Sequence, residues 1–173
     1  MKNIVLTGFM GTGKTTVGRI LAHRLGLQFV DTDEEIERVT GKTVSHMINR
    51  YGIIRFRSEE SLVIKKLSAG EGYVIATGGG AVLDPENVAA LKKNGVVVLI
   101  RSSPEVVYKR VKSGQKRPLL AGAGDLAERI RELMAEREEA YRKSADFEVI
   151  SEEESREEMA DKIIKLLRER KYI

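Results

Sequence analysis

The chain has 173 residues, 42% hydrophobic and 32% charged, which suits one domain with its own core and excludes disordered and collagen-like compositions. The net charge of +4, from 30 basic and 26 acidic residues, is interleaved, as in Glu34-Glu35-Ile36-Glu37-Arg38, and reads as solvated helix faces. With no Trp and scattered aromatics, nothing suggests a nucleic-acid platform. The absence of Cys removes disulfides, zinc–thiolate sites and thiol nucleophiles. The longest strictly apolar run, Val96-Val97-Val98-Leu99-Ile100, is far short of the roughly 20 residues that span a bilayer. No small-residue cleavage site follows Lys2 and its apolar stretch, so no signal peptide is expected. The expectation is a cytosolic monomer without nucleic-acid or membrane partners.

In chain order, residues 1–7 are apolar and β-branched and read as a buried strand ending at Gly8. Residues 14–25 carry Val17, Ile20, Leu21 and Leu25 at helical spacing, with Gly26 as the stop. A short strand over 28–30 ends at Asp31, and Thr32 is a candidate cap for a helix through Val39, stopped by Gly41. Helices are predicted over 43–50 and 54–67, then a strand over 73–76 followed by Thr77-Gly78-Gly79-Gly80. Pro85 and Pro104 each suit the first position of a helix, running to Lys93 and to about Lys112. Between them lies the 96–100 run, apolar throughout, as a strand covered on both faces should be. The segment 113–124, with Gly114, Pro118, Gly122 and Gly124, reads as a loop. A charged helix over 125–143, a strand over 147–150 and a helix over 154–170 complete the chain. Strands alternating with helices predict one α/β domain over 1–173, with a parallel sheet of about five strands and helices on both faces.

Gly8-Phe9-Met10-Gly11-Thr12-Gly13-Lys14-Thr15 fits G-x-x-x-x-G-K-[ST], the P-loop, between a predicted strand and a predicted helix. Its glycines let backbone N–H groups turn around phosphate oxygens, and the helix N-terminus favours negative charge. Lys14 reaches the β- and γ-phosphates, and the Thr15 hydroxyl takes a place on Mg²⁺. The Asn/Thr-Lys-x-Asp pattern of a GTPase is absent, and the 96–100 strand ends in Arg101-Ser102 instead of the acid of a motor ATPase. A small-molecule kinase needs an acid near the metal, an acceptor site and a cationic lid. Asp31-Thr32-Asp33 supplies the acid, because the carboxyl ends of parallel strands share one crevice; the same three residues equally suit a helix N-cap. Gly78-Gly79-Gly80 gives bare backbone for close approach to a ligand. Arg117 lies in a Gly- and Pro-flanked loop that suits a closing element. Arg137, within Glu136-Arg137-Glu138-Glu139, reads by itself as a solvated surface residue, and Arg57 lies in a helix rich in charge.

The ordered set resembles the shikimate kinase family: the P-loop running on to Thr16-Val17-Gly18, then Asp31-Thr32-Asp33, Phe56-Arg57 with Glu60, Gly78-Gly79-Gly80-Ala81-Val82, Arg117-Pro118-Leu119-Leu120, and Arg137 four residues before Tyr141. The resemblance covers about residues 3–145. It implies a three-layer P-loop kinase fold with a mobile lid at about 113–124 and acceptor-binding helices over about 32–67. The implied activity is transfer of the γ-phosphoryl group of ATP to the 3-hydroxyl of shikimate, on the way to chorismate and the aromatic amino acids. It implies ATP contacts from Gly11, Thr12, Gly13, Lys14, Thr15, Thr16, Arg110 and Arg117, with Arg110 near the adenine, and Mg²⁺ at Thr15 and, through water, Asp31. It implies shikimate contacts from Asp33, Arg57, Gly78, Gly79, Gly80 and Arg137, with Lys14, Asp33 and Arg117 as the catalytic groups. Planar guanidinium groups at 57 and 137 suit a carboxylated acceptor. Gluconate is also a carboxylate, so a gluconate-type kinase is the alternative, and a nucleotide-binding module without turnover is another. Residues 151–155, Ser-Glu-Glu-Glu-Ser, are acidic where the family's adenine-side loop falls.

Overall fold

The apolar, β-branched segments pair into one parallel sheet whose carboxyl ends gather the loops that matter. The computed structural model describes residues 1–114, 120 and 124–173. Its strands are β1 (Asn3–Thr7), β2 (Gln28–Asp31), β3 (Tyr73–Ala76), β4 (Gly95–Arg101) and β5 (Phe147–Ile150), in the order β2-β3-β1-β4-β5. Every pairing is parallel. The helices are α1 (Lys14–Leu25), α2 (Thr32–Thr40), α3 (Val44–Tyr51), α4 (Ile53–Ser68), α5 (Pro85–Lys93), α6 (Pro104–Lys112), α7 (Leu126–Ser144) and α8 (Arg156–Glu169). A 3-10 turn at Ala81–Leu83, absent from the sequence reading, follows the three glycines.

Successive side chains of a strand point to opposite faces, and here both faces are covered. On β1, Ile4 and Leu6 pack with Val17 and Leu21 of α1 and with Met159 and Ile163 of α8. Val5, between them, packs on the other face with Ile75, Val97, Ile36 of α2 and Phe56 and Ile64 of α4. A third cluster closes the carboxyl end, where Phe9 and Leu99 meet Val107 of α6 and Ile130, Leu133 and Tyr141 of α7. Each fully buried Ile or Leu contributes about 1.5–3 kcal/mol of transfer free energy. The edge strand β5 alternates instead, with Phe147 and Val149 buried and Glu148 and Ile150 exposed. Among the described residues, no helix is long and apolar enough to cross a membrane.

β1 leads through α1 to β2, while β3 occupies the place beside β1. The connections on either side of β1 therefore diverge. In open parallel sheets, the crevice outside the carboxyl ends at such a point receives ligands. The P-loop follows β1, Asp31 ends β2, Thr77 and the glycines follow β3, and Ser102 follows β4.

Candidate active site

Two glycines shape the loop after β1. At Gly8 the backbone has φ +142°, and a Cβ would run into the carbonyl of Ile100 on the neighbouring strand, so no side chain fits. Gly13, at φ 96°, is the left-handed residue from which α1 starts. Lys14 folds back across the loop: its Nζ donates to the carbonyls of Gly8 at 2.7 Å and Phe9 at 2.8 Å, and the residue is only 9% exposed. The Thr12 hydroxyl donates to the Phe9 carbonyl at 2.8 Å. The first turn of α1 has no acidic residue, and Gly13 offers no side-chain cap, so its N-terminal N–H groups are available to an anion.

Asp31 caps a helix and also meets the threonine of the P-loop. Its Oδ1 accepts from the backbone N–H of Asp33 at 2.9 Å and Glu34 at 3.3 Å, capping α2, while its Oδ2 accepts from the Thr15 hydroxyl at 2.7 Å. The cap is therefore Asp31 and not Thr32, a correction to the sequence reading. Thr32 is fully buried, and its hydroxyl accepts from the N–H of Gly78 at 2.9 Å. A side chain that leaves the helix end to brace another loop cannot also cap that end. The brace sets the glycine loop against α2: a Cβ on Gly78 would lie 2.8 Å from Asp33 Oδ1 and 2.9 Å from Glu60 Oε2.

The two arginines expected to bind the acceptor both meet this loop. Arg57 of α4 crosses Gly80, where a Cβ would collide with its guanidinium. Its Nη1 donates to Glu60 Oε1 at 2.8 Å, one helical turn on. Glu60 is fully buried, and burial pushes its carboxyl above the usual range against the opposing pull of Arg57. Arg137 of α7 comes within 3.2 Å of a Cβ placed on Gly79. It is 4% exposed, not the solvated residue its charged neighbours suggest, and its buried Nη1 has no hydrogen-bond partner among the described residues. A buried, incompletely satisfied guanidinium is costly unless an acceptor arrives. Tyr141, one turn further, donates from its hydroxyl to the Gly79 carbonyl at 2.5 Å, and burial raises its pKa. Neither Tyr141 nor Thr32 figured among the expected contacts. The signal for α7 was its spacing: Ile130, Leu133, Arg137, Tyr141 and Ser144 recur at helical intervals and are its buried face.

Two cavities result. One of about 280 Å³ is lined by Gly11, Gly13, Lys14, Thr15, Thr16 and Arg110. The other, of about 630 Å³, is lined by Arg57, Glu60, Gly78, Gly79, Gly80 and Arg137. They share Met10, Thr15, Asp31, Asp33, Gly78 and Gly79 as a common wall. Thr12 is buried under the loop and braces it through Phe9. Arg110 is anchored at the smaller cavity, donating to the carbonyls of Gly11 at 3.1 Å and Glu152 at 3.2 Å. Arg117 and most of the segment expected to form the lid lie outside the described residues.

A family model for shikimate kinase matches residues 10–168. The shikimate kinase of Pelotomaculum thermopropionicum is 54% identical over 173 residues, covering 100% of this chain and 99% of the relative. That of Desulforudis audaxviator is 47% identical over 173 residues, covering 100% and 90%. Among solved structures, shikimate kinase from Acinetobacter baumannii in complex with shikimate is similar at a TM-score of 0.94 and 37% identity, covering 99% of this chain and 95% of that one. Shikimate kinase from Aquifex aeolicus gives 0.82 and 34%, with 98% of each chain covered. A family match over nearly the whole length, with relatives this similar end to end, leads to one conclusion: the chain belongs to the shikimate kinase family.

Proposed function

We propose that this chain transfers the γ-phosphoryl group of ATP to the 3-hydroxyl of shikimate, releasing ADP and 3-phosphoshikimate for the route to aromatic amino acids. The observation that carries the reading is the buried, partly unsatisfied guanidinium of Arg137, set with Arg57 around three glycines in a cavity that shares Asp33 with the P-loop. Two guanidinium groups grip the acceptor carboxylate, and Gly78, Gly79 and Gly80 let the ring lie against bare backbone. Asp33 orients the acceptor hydroxyl and accepts its proton. The hydroxyl oxygen forms a bond to the γ-phosphorus as the bond to the β,γ-bridging oxygen breaks, and the electron pair leaves on ADP. Lys14 and the N–H groups at the start of α1 hold the phosphate charge, a positioning and electrostatic contribution. Arg117 is assigned the same charge-neutralising duty on the family resemblance.

The Thr15 hydroxyl and the Asp31 carboxylate, 2.7 Å apart, are hard oxygen donors of the kind Mg²⁺ takes. Among the described residues, no cluster of three or more acidic or His side chains could hold a metal by itself, which fits an ion carried largely by water and phosphate oxygens. Thr15 directly and Asp31 through water would hold Mg²⁺, which supplies neutralisation of the β- and γ-phosphate charge when bound. The test is ADP release measured with shikimate, with gluconate and with no acceptor. Shikimate-dependent release is expected; release that depends on gluconate, or is equal without any acceptor, overturns the assignment.

A further inference from the structure

A third cavity, of about 400 Å³, lies among the ends of β4 and β5, the start of α6 and the middle of α7. Among the described residues it shares no lining residue with either of the other two cavities. The P-loop contributes Phe9 and Thr12 to its wall, but none of its glycines and not Lys14. The cavity follows from the pattern of the edge strand. Phe147 and Val149 of β5 join the core shared with α8, while Ile150 lies on the other face and stays 49% exposed.

Its wall is apolar and partly flat, made by Leu99, Met134, Ile150 and the rings of Phe9 and Tyr141. The Tyr141 hydroxyl is engaged by the Gly79 carbonyl, so the ring is what this residue offers. Aromatic faces beside a polarisable thioether suit a ring, and the volume is that of a small-molecule site. The charged lining is unbalanced: Arg101, Arg131 and Arg142 stand against two carboxylates, Glu138 and Glu152. Both carboxylates are already engaged. Glu138 lies 3.0 Å from Arg101 and 3.1 Å from Arg142, and Glu152 accepts from the N–H and hydroxyl of Ser103 at 3.0 Å and 3.1 Å. Arg101 also reaches Glu148 at 3.4 Å. Arg131 is the least committed of the three: it lies 3.9 Å from Glu105, and both side chains are more than half exposed. A guanidinium to spare beside an apolar wall favours an anion with an apolar body and disfavours a cation.

We propose that this cavity is a second small-molecule site, which takes a compact aromatic ring carrying one carboxylate. The ring rests against Phe9, Met134 and Tyr141, and the carboxylate meets Arg131. Because no lining residue is shared, the site fills independently of the cavities that hold Lys14 and Arg137.

The experiment is titration of phenylacetate, and of its uncharged analogue phenylacetamide, into the full chain with and without shikimate. Calorimetry gives the affinity, and NMR of the methionine methyl groups gives the place. Met134 lines this cavity and Met10 lines both of the others. Phenylacetate should bind at one site, shift the Met134 methyl resonance and leave Met10 unmoved, whether or not shikimate is present. Phenylacetamide with the wild type, and phenylacetate with Arg131→Gln, should each bind about threefold to fivefold more weakly, the size expected of an exposed guanidinium. Ala135→Phe puts a ring into the cavity from an exposed position of α7; it should melt like the wild type and lose both the binding and the Met134 shift. A shift of Met10 alone, or displacement by shikimate, puts the ligand in the acceptor cavity and overturns the site. Undiminished binding to Ala135→Phe overturns it too, as does an unmoved Met134 resonance at about 10 mM phenylacetate. Equal affinity for the acid and the amide, or for the wild type and Arg131→Gln, overturns the anion contact at Arg131.

Discussion

Replacing Arg57 with alanine should injure binding and stability separately, and pH separates the two. The guanidinium lies 2.8 Å from Glu60 Oε1, and Glu60 is fully buried. Breaking a buried ion pair by removing one partner costs about 3–5 kcal/mol, because a charge is left without compensation. The Arg57 side chain is itself 28% exposed, so the lower end, about 3 kcal/mol, applies. For a chain of this length that lowers the melting temperature by about 6–12 °C near neutral pH. Burial already raises the folded-state pKa of Glu60, and the charge of Arg57 is the main effect holding it down. Removing Arg57 raises it further. Between the unfolded and the raised folded pKa, the native state binds more protons than the unfolded state, so stability falls as pH rises through that window. The Arg57→Ala deficit should therefore be larger at an alkaline pH than at an acidic one, where the raised folded pKa lets Glu60 take up a proton and no unpaired charge is buried. Arg57→Ala/Glu60→Gln should regain the lost stability and still bind shikimate about 2–4 kcal/mol more weakly, roughly 30-fold to 900-fold. Thermal melts at both pH values and shikimate titrations of the three proteins make the comparison. Equal melting deficits at both pH values would refute the buried-carboxylate argument, and unchanged shikimate affinity would make Arg57 only a structural partner of Glu60.

Lys14→Ala should fold, by circular dichroism, yet turn over at least about a hundredfold more slowly, because it loses the charge proposed to hold the transferred phosphoryl group; near-normal turnover would sink the catalytic assignment of the loop. Tyr141→Phe removes the 2.5 Å bond to the Gly79 carbonyl and should raise the shikimate KM about fivefold to tenfold while leaving the ATP KM alone. A lowered melting temperature with an unmoved shikimate KM would reduce Tyr141 to core packing.

Much of this molecule follows from short-range patterns. The 96–100 run could only be a strand covered on both faces, and β4 spans Gly95–Arg101 with its interior fully buried. The P-loop spacing placed Gly13 and Lys14 at the start of a helix, where they stand, because backbone freedom at glycine and the helix N-terminus are local properties. What the chain kept hidden are contacts whose partners lie far apart in sequence. Thr32 binds the N–H of Gly78, 46 residues away, and Tyr141 the carbonyl of Gly79, 62 residues away. Arg137, flanked by three glutamates, has the local appearance of a wet surface. It becomes buried because α7 lays the face carrying Ile130, Leu133 and Tyr141 over the carboxyl end of the sheet, so one charged side chain is carried inside with its apolar neighbours. Spacing along the chain set which residues share that face. Only the packing of α7 against Phe9 and the glycine loop decided that a guanidinium there would be dry, and desolvation is what suits it to the carboxylate proposed to bind there.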